Sequence, residues 1–451
     1  MRRLGEIVCL LLLVACAATP ATAAAKAKKK KPDPVVTTLA RLQARGGTAG
    51  SQATAWRSLY NEGKIAARHL RGDARTNMRG VLGNLTSLAR RHLLGGRAYP
   101  AFLILQRNVE WFWQDRKGPM AYGTRTTFPG SQLIYEFYPG SGWQLQPLAN
   151  FGKINGLLKL KHPKAGQIES YADEMLQTAV TRHGFLAFEY YFPWSGGAPG
   201  WVSGMATATG MQALSTLAQR DGDARYSDAA HSMLGVFKSG PPWGIQIQRP
   251  EGIFFLQYSQ DPSLLVGNAY AQSILGLDVY ARNSGDTDAA ALVDQGVAAA
   301  RRILPQYDTG AWSLYYRSPK GPGHESDLSY HELFGSFLDE MCQRWQAPFC
   351  DLAANFHRYE TEPVKLTNLR ARVDKRRKQL RVGFTISKRS GITLSVKRGT
   401  KPVYTFLSPL EHGAHKVNWP LPKRGSYQIL LSAKSLNGIT SSTTIDVKVP
   451  R

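Results

Sequence analysis

Apolar positions between residues 35 and 97 recur at roughly helical spacing among arginines and lysines. Leu39, Leu42, Trp56, Leu59, Tyr60 and Leu70, followed by Val81, Leu82, Leu85 and Leu88, predict amphipathic helices. The pattern changes over 120–150, which is richer in aromatics, glycine and β-branched residues. There Leu133-Ile134-Tyr135-Glu136-Phe137-Tyr138 followed by Pro139-Gly140 predicts a strand and a turn. A third pattern begins near residue 365. Leu380–Ile386, Thr393–Val396 and Thr444–Val449 alternate with period two, and Arg398-Gly399, Arg424-Gly425 and Asn437-Gly438 supply turns between such runs. Several short strands in so short a segment predict a small immunoglobulin-like β-sandwich over 365–451.

The body of the chain repeats itself. Gln219-Arg220, Ala281-Arg282 and Gln343-Arg344 each end a helical pattern, and both spacings are 62 residues. Each is followed by a short turn and a second helix, as in Asp221-Gly222-Asp223 before Ser227–Ala230 and Ser284-Gly285-Asp286 before Ala289–Ala291. The segments preceding the first helices, 184–200, 243–262 and 310–326, are rich in alternating aromatics and read as β-hairpins. A fixed period of this kind predicts an array of helical hairpins. With 144–183 as a degenerate earlier unit, the array closes into an (α/α) toroid with inserted β-hairpins. The expected organisation is an export signal over 1–25, a basic linker over 26–34, a basic helical segment over 35–119, the toroid over 120–362 and the sandwich over 365–451.

Charge sharpens this division. The 451 residues carry a net charge of +25, which on its own suggests a polyanion partner. It is unevenly placed. Residues 365–451 hold 19 Lys and Arg against 3 Asp and Glu, whereas 101–364 hold 20 against 25. The basic character belongs to the flanks, and the run Lys375-Arg376-Arg377-Lys378 reads first as a solvated turn. At the N-terminus, Arg2 and Arg3, the apolar stretch Ile7–Ala18 and the small residues Ala21-Thr22-Ala23 form a signal-peptide pattern, and Leu13-Val14-Ala15-Cys16 offers a second route as a lipobox. A secreted or envelope-attached protein is expected, with Cys16 as the lipid acceptor in the second case. In such a protein Cys342 and Cys350 can pair; two free thiols are the alternative. No His/Cys cluster with zinc spacing, Walker loop or dinucleotide glycine motif occurs, so no metal or cofactor is expected. The basic residues are not interleaved with a base-stacking aromatic motif, so no nucleic-acid partner is expected.

Four strings then combine: Trp201-Val202-Ser203-Gly204-Met205, Gln212-Ala213-Leu214-Ser215, Leu304-Pro305-Gln306-Tyr307-Asp308-Thr309-Gly310-Ala311-Trp312-Ser313-Leu314-Tyr315, and Leu328-Ser329-Tyr330-His331. Together they make residues 144–360 similar to the C-terminal domain of the D-glucuronyl C5-epimerase family. That resemblance implies a cofactor-independent enzyme, an isomerase that inverts carbon 5 of hexuronic acid residues in an acidic polysaccharide. The proton at that carbon is weakly acidic, so its removal and return need an acid–base pair and groups that neutralise the charge building on the carboxylate. The resemblance places the catalytic tyrosines at Tyr315 and Tyr330, and substrate contacts at Gln257, Tyr258, Asn268, Arg317, His331 and Trp201.

The chain departs from the family in three places: Tyr316-Arg317 follows Tyr315 where the family reads Asp-Leu-Arg, the Gln212 region carries extra residues, and the family's glutamate is missing. Where the family carries a glutamate, this sequence has Gln257, and an amide hydrogen-bonds a sugar without accepting a proton at useful pH. Three readings follow. Tyr315 and Tyr330 act as the bases with Gln257 orienting the sugar, another carboxylate such as Glu189, Glu325 or Asp327 supplies the charge, or the domain binds glycan without catalysis. A polysaccharide lyase, which begins with the same proton abstraction, is a further alternative. Each residue also has a purely structural reading: Tyr315 as a cross-strand aromatic, Tyr330 as a packing residue, His331 as a hydrogen-bonding core histidine, and Trp143, Trp194, Trp201 and Trp312 as core fillers. The basic sandwich is expected to contact an anionic cell-wall polymer.

Overall fold

The computed structural model describes residues 31–46 and 50–450. The export signal read over 1–25, the lipobox Cys16 and most of the basic linker lie outside the described residues.

Four helices open the described chain: α1 (Pro34–Ala44), α2 (Gly50–His69), α3 (Gly72–Arg90) and α4 (Ala98–Val109). Asp33 starts α1, its carboxylate accepting from Val35 N at 3.0 Å, and Pro34 occupies the first turn, where its missing N–H costs nothing. The apolar stripe read from the sequence is the buried one: Val35, Leu39, Val81, Leu85 and Leu88 are inside. A small antiparallel sheet follows, of β1 (Arg125–Thr126), β2 (Tyr135–Tyr138) and β3 (Gly142–Leu145), in that order.

The repeat region is a row of helical hairpins: α5 (Pro147–Leu158) with α6 (Gln167–Leu176), α7 (Gly204–Asp221) with α8 (Ala224–Lys238), α9 (Gly267–Ser284) with α10 (Thr287–Ile303), and α11 (Leu328–Trp345) with α12 (Phe349–Thr361). The first helices α5, α7, α9 and α11 pack side by side in chain order, and the second helices back them, giving the double helical layer expected of a toroid. The turns explain the regularity. Gly222 and Gly285 end α7 and α9 at φ of +71° and +69°, a conformation that favours glycine. Asp223 and Asp286 then cap α8 and α10, accepting from Arg225 N at 2.9 Å and Ala289 N at 3.0 Å. Neighbouring repeats are tied by Asp278 of α9, which pairs with Arg344 of α11 at 3.3 Å. Cys342 of α11 and Cys350 of α12 form a disulfide with Cα atoms 4.7 Å apart.

Between the hairpins lie short antiparallel strands: β4 (Val180–Arg182) with β5 (Phe185–Ala187), β6 (Gln246–Arg249) with β7 (Gly252–Phe255), and β8 (Leu265–Val266), which pairs with β9 (Leu314–Ser318) and through it with β10 (Gly321–Glu325). One hydrophobic core runs from Val35 through these elements to Tyr359. The basic helical segment is therefore packed into the same core as the repeats.

Seven strands complete the chain: β11 (Leu366–Asp374), β12 (Gln379–Ile386), β13 (Ser390–Arg398), β14 (Lys401–Leu410), β15 (Gly413–Pro420), β16 (Gly425–Ser435) and β17 (Thr440–Val449). They form two antiparallel sheets, β11–β12–β15 and β14–β13–β16–β17, which share a second core of Leu380, Val382, Phe384, Leu394, Ile429 and Leu431 among others.

Polar contacts bolt this unit to the hairpins. Glu325 at the end of β10 is buried and accepts from Arg389 N at 2.8 Å and His412 N at 2.9 Å, with His412 Nδ1 at 3.2 Å. Lys388 donates to the carbonyls of Tyr359 at 2.7 Å and Glu362 at 2.5 Å. The Glu325 hydrogen bond raises the pKa of His412 above its ordinary value. A raised value means that protonated His412 adds stability below its unfolded pKa, and that this is lost as pH rises through the folded value. Glu411, His324 and Arg389 share the junction, so the effect is read by difference. His412→Gln should lower the melting temperature at pH 5.5 and converge on the unsubstituted protein at pH 8.5, as calorimetry across that range would show.

Candidate active site

The sequence builds an aromatic cleft at the N-terminal ends of α7, α9 and α11. Its inner part is about 220 Å³ and its lining includes Tyr122, Arg125 and Glu136, Tyr138 and Gln146, Tyr190 and Trp201, Gln257 and Tyr258, Asn268, Tyr315 and Tyr330. A wider mouth of about 480 Å³ shares Tyr122, Trp194, Tyr258, Tyr315 and Tyr330 with it.

The two tyrosines singled out from the sequence meet here. Tyr315 stands on β9 and Tyr330 in the first turn of α11, with ring centroids 4.8 Å apart. Tyr258 joins them, its hydroxyl 3.4 Å from that of Tyr315. Burial pushes the Tyr315 phenol far above its ordinary value and that of Tyr258 upward as well. Burial raises Tyr330 to about 12, although 41% of the residue remains exposed. All three hydroxyls therefore hold their protons near neutral pH. As protonated phenols they can donate hydrogen bonds into the cleft.

Gln257 and Asn268 also line the cleft. Gln257 Oε1 accepts from Ser203 Oγ at 3.1 Å, while Asn268 Oδ1 is buried without a hydrogen-bond partner. A buried acceptor left open in a polar cleft suits a sugar hydroxyl. Trp201 borders the cleft but is fixed there, stacked on Tyr190 at 4.1 Å and donating from Nε1 to Phe192 O at 2.8 Å.

Two expected substrate contacts are absent. His331 is fully buried, its ring 3.7 Å from that of Trp312. Its Nε2 donates to Phe356 O at 3.0 Å and its Nδ1 accepts from Ser313 Oγ at 2.7 Å, while burial lowers its pKa to about 4. It is a neutral core histidine because the helix face that carries it packs onto α12. Arg317 lies over the Tyr307 ring at 5.9 Å and does not line the cleft.

The three carboxylates considered as replacements for the missing glutamate are engaged elsewhere. Glu189 is buried between Arg97 and Arg182, at 2.6 and 2.5 Å. Glu325 forms the junction described above. Asp327 caps α11, accepting from Tyr330 N at 2.9 Å. The carboxylate that does line the cleft is Glu136 of β2. Alternation along β2 turns Tyr135 and Phe137 to the core, where both rings are fully buried, and Glu136 and Tyr138 to the cleft. Arg125, its cross-strand neighbour, binds Glu136 Oε2 through Nε at 2.7 Å. Sequence reasoning missed both. The available signal was a glutamate inside an otherwise aromatic strand, where an ionised group needs a partner or a task.

Residues 182–356 match the family profile described as D-glucuronyl C5-epimerase C-terminus, so the resemblance read from the sequence is present over this segment. An uncharacterised protein of Methanocaldococcus jannaschii is 25% identical over 151 residues, 32% of this chain and 48% of that one. The D-glucuronyl C5-epimerase of Caenorhabditis elegans is 27% identical over 130 residues, 26% of this chain and 21% of that one. The chain thus spans half or less of these relatives. Among solved structures, cellobiose 2-epimerase from Bacillus thermoamylovorans gives a TM-score of 0.39 at 10% identity, covering 64% of this chain and 75% of that one. Unsaturated glucuronyl hydrolase from Bacillus sp. GL1 gives 0.33 at 12% identity, covering 72% and 82%. These structural likenesses are loose.

The Glu189 triad has a testable consequence for the cleft wall that follows it. Glu189→Ala would leave Arg97 and Arg182 buried without their shared counter-ion. Stability should fall by about 3–5 kcal/mol, read from the midpoint of urea unfolding; a loss below about 1 kcal/mol would show the pair to be energetically idle.

Proposed function

We propose that this chain, with its D-glucuronyl C5-epimerase C-terminal segment over 182–356, is a hexuronic acid epimerase acting on an acidic polysaccharide. One observation carries the reading: a single carboxylate, Glu136, and a cluster of protonated tyrosines line one cleft from different elements, β2 on one hand and β9 and α11 on the other. Inversion requires a proton to leave one face of carbon 5 and another to arrive on the opposite face. Glu136 is the group that can accept a proton. Tyr315 or Tyr330 is the group that can give one, and Tyr258, bonded to Tyr315, can help to return it.

In this scheme Glu136 takes the carbon-5 proton, and electron density moves onto the sugar carboxylate as an enolate. Arg125 and the open Asn268 site lie where that carboxylate and a neighbouring hydroxyl can be held. A tyrosine hydroxyl then protonates carbon 5 from the other face; the tyrosinate takes a proton from water and the protonated Glu136 returns its proton to solvent. Arg125 serves first as the partner of Glu136, so an arriving sugar carboxylate that draws Arg125 away frees Glu136 to act as a base. Gln257, anchored by Ser203, orients the sugar without exchanging protons.

Loss of the 4-linked substituent from the same enolate would make the protein a lyase, and absence of any proton transfer would leave a glycan-binding protein. The carboxylate in the cleft favours chemistry over binding alone. Export through the N-terminal 25 residues, an immunoglobulin-like C-terminal unit and attachment to the cell envelope complete the proposal.

Incubation with hexuronans in deuterated water should introduce deuterium at carbon 5 with no absorbance from an unsaturated sugar. Glu136→Gln should slow exchange by 10²-fold or more. Tyr330→Phe should slow it comparably, with melting unchanged in both. Exchange that survives Glu136→Gln at full rate would remove Glu136 from the mechanism. Unsaturated product would identify a lyase, and no exchange across galacturonan, glucuronan, mannuronan and glycosaminoglycan substrates would leave the binding reading.

A further inference from the structure

We infer that the outer face of the β11–β12–β15 sheet is a second binding site, which takes the carboxylates of an anionic polysaccharide strand. The site is distinct from the cleft. The identity of its polymer rests on the proposed function, while the site itself rests on the geometry below.

Alternation fixes which residues point outward. In β12, Leu380, Val382, Phe384 and Ile386 are buried, so Arg381, Gly383 and Thr385 face solvent. Register then assembles two cross-strand rows. Arg372 stands opposite Arg381, and Arg370 opposite Gly383, which is in turn opposite Lys416. Gly383 contributes no side chain between two cations. The result is a notch of about 490 Å³ with a glycine floor and walls of arginine and lysine. A side chain at Gly383 would enter this space, its β-carbon 3.5 Å from Arg370 Nε.

Charge on this face is unbalanced. Arg381 pairs with Asp374 at 2.8 Å. Among the described residues, Arg370, Arg372 and Lys416 have no carboxylate partner. Three cations held within two rows of one sheet repel each other, and an anionic ligand relieves that cost. Guanidinium groups at cross-strand spacing suit carboxylates, each of which can accept two parallel N–H bonds. Nucleic acid fits less well, because no ring is free here to stack on a base. Phe384 is buried, and His415 packs against it at 5.7 Å with its Nε2 on Glu411 O at 2.8 Å.

The two sites divide the labour. The cleft lining contains one guanidinium, Arg125, and that one is already paired with Glu136. Long-range attraction to a polyanion must then come from elsewhere, and this notch supplies it.

The test uses the full chain and immobilised polygalacturonate, with dextran and duplex DNA as comparison matrices. The protein should be retained on polygalacturonate at low salt, released as salt rises, and not retained on dextran. Arg370→Gln combined with Lys416→Gln should weaken retention at least tenfold and flatten its salt dependence, with melting and carbon-5 exchange on a short uronate oligomer unchanged. The charge-reversed pair Arg370→Glu and Lys416→Glu should abolish retention. Undiminished retention of both double variants would overturn the inference, as would failure of the unsubstituted protein to bind polygalacturonate. Tighter binding to DNA, lost in the same variants, would overturn the choice of ligand. If exchange is never detected but retention still depends on Arg370 and Lys416, the notch stands and the catalytic proposal alone falls.

Discussion

The fold depends on how closely its inner helices can approach. α7 and α9 touch backbone to backbone where Gly276 meets Ala208; a β-carbon at residue 276 would sit 2.7 Å from the Ala208 carbonyl oxygen. At the first residue of α7 the chain is tighter still. Gly204 N donates to Leu256 O at 3.1 Å, and any β-carbon there would overlap that oxygen. This contact presses the start of one helix against the strand exit that carries Gln257 and Tyr258. It converts a row of hairpins into a cleft, because the segments joining one repeat to the next then crowd together at the same end. Packing density decides where the cleft sits, and short strands, helix starts and the segments between them supply its lining.

Electrostatics inside and outside that cleft follow opposite rules. Inside, burial among aromatic rings keeps the phenols of Tyr138, Tyr190, Tyr258 and Tyr315 protonated, so the cleft is rich in donors and poor in charge. One ion pair, Glu136 with Arg125, breaks that neutrality. Hydrogen-bond donors in such a place are already aimed, with little solvent to reorganise. Outside, the cations are spread over the helical N-terminal segment and the terminal sheets, where water screens them. The net charge of +25 thus describes the surface of the molecule far better than its cleft.

The sequence made the periodic parts of this arrangement legible. The 62-residue spacing marks the ends of α7, α9 and α11, the aromatic alternation marks the intervening hairpins, and the period-two runs mark β12, β13 and β17. Tyr315 and Tyr330 stand out because each closes or sits in one of the strings that carry the family resemblance. What stayed hidden depends on long-range contacts. Glu189 looked like a free carboxylate in sequence, and only the fold brings Arg97, 92 residues earlier, to within 2.6 Å of it. His331 follows Tyr330 directly, yet helical geometry turns it to the core while Tyr330 faces the cleft. Glu136 lies outside the segment matched by the family, so no motif announced it; only the fold brings its carboxylate into the same cleft as Gln257.

The most direct test of this account is a crystal structure of the protein with a bound hexuronate oligosaccharide. The account predicts the sugar in the aromatic cleft, its carboxylate on Arg125, its carbon 5 within about 3.5 Å of a Glu136 oxygen, and a hydroxyl of Tyr315 or Tyr330 on the opposite face. A sugar bound with carbon 5 turned away from Glu136, or with both tyrosine hydroxyls and the carboxylate on the same face, would contradict it.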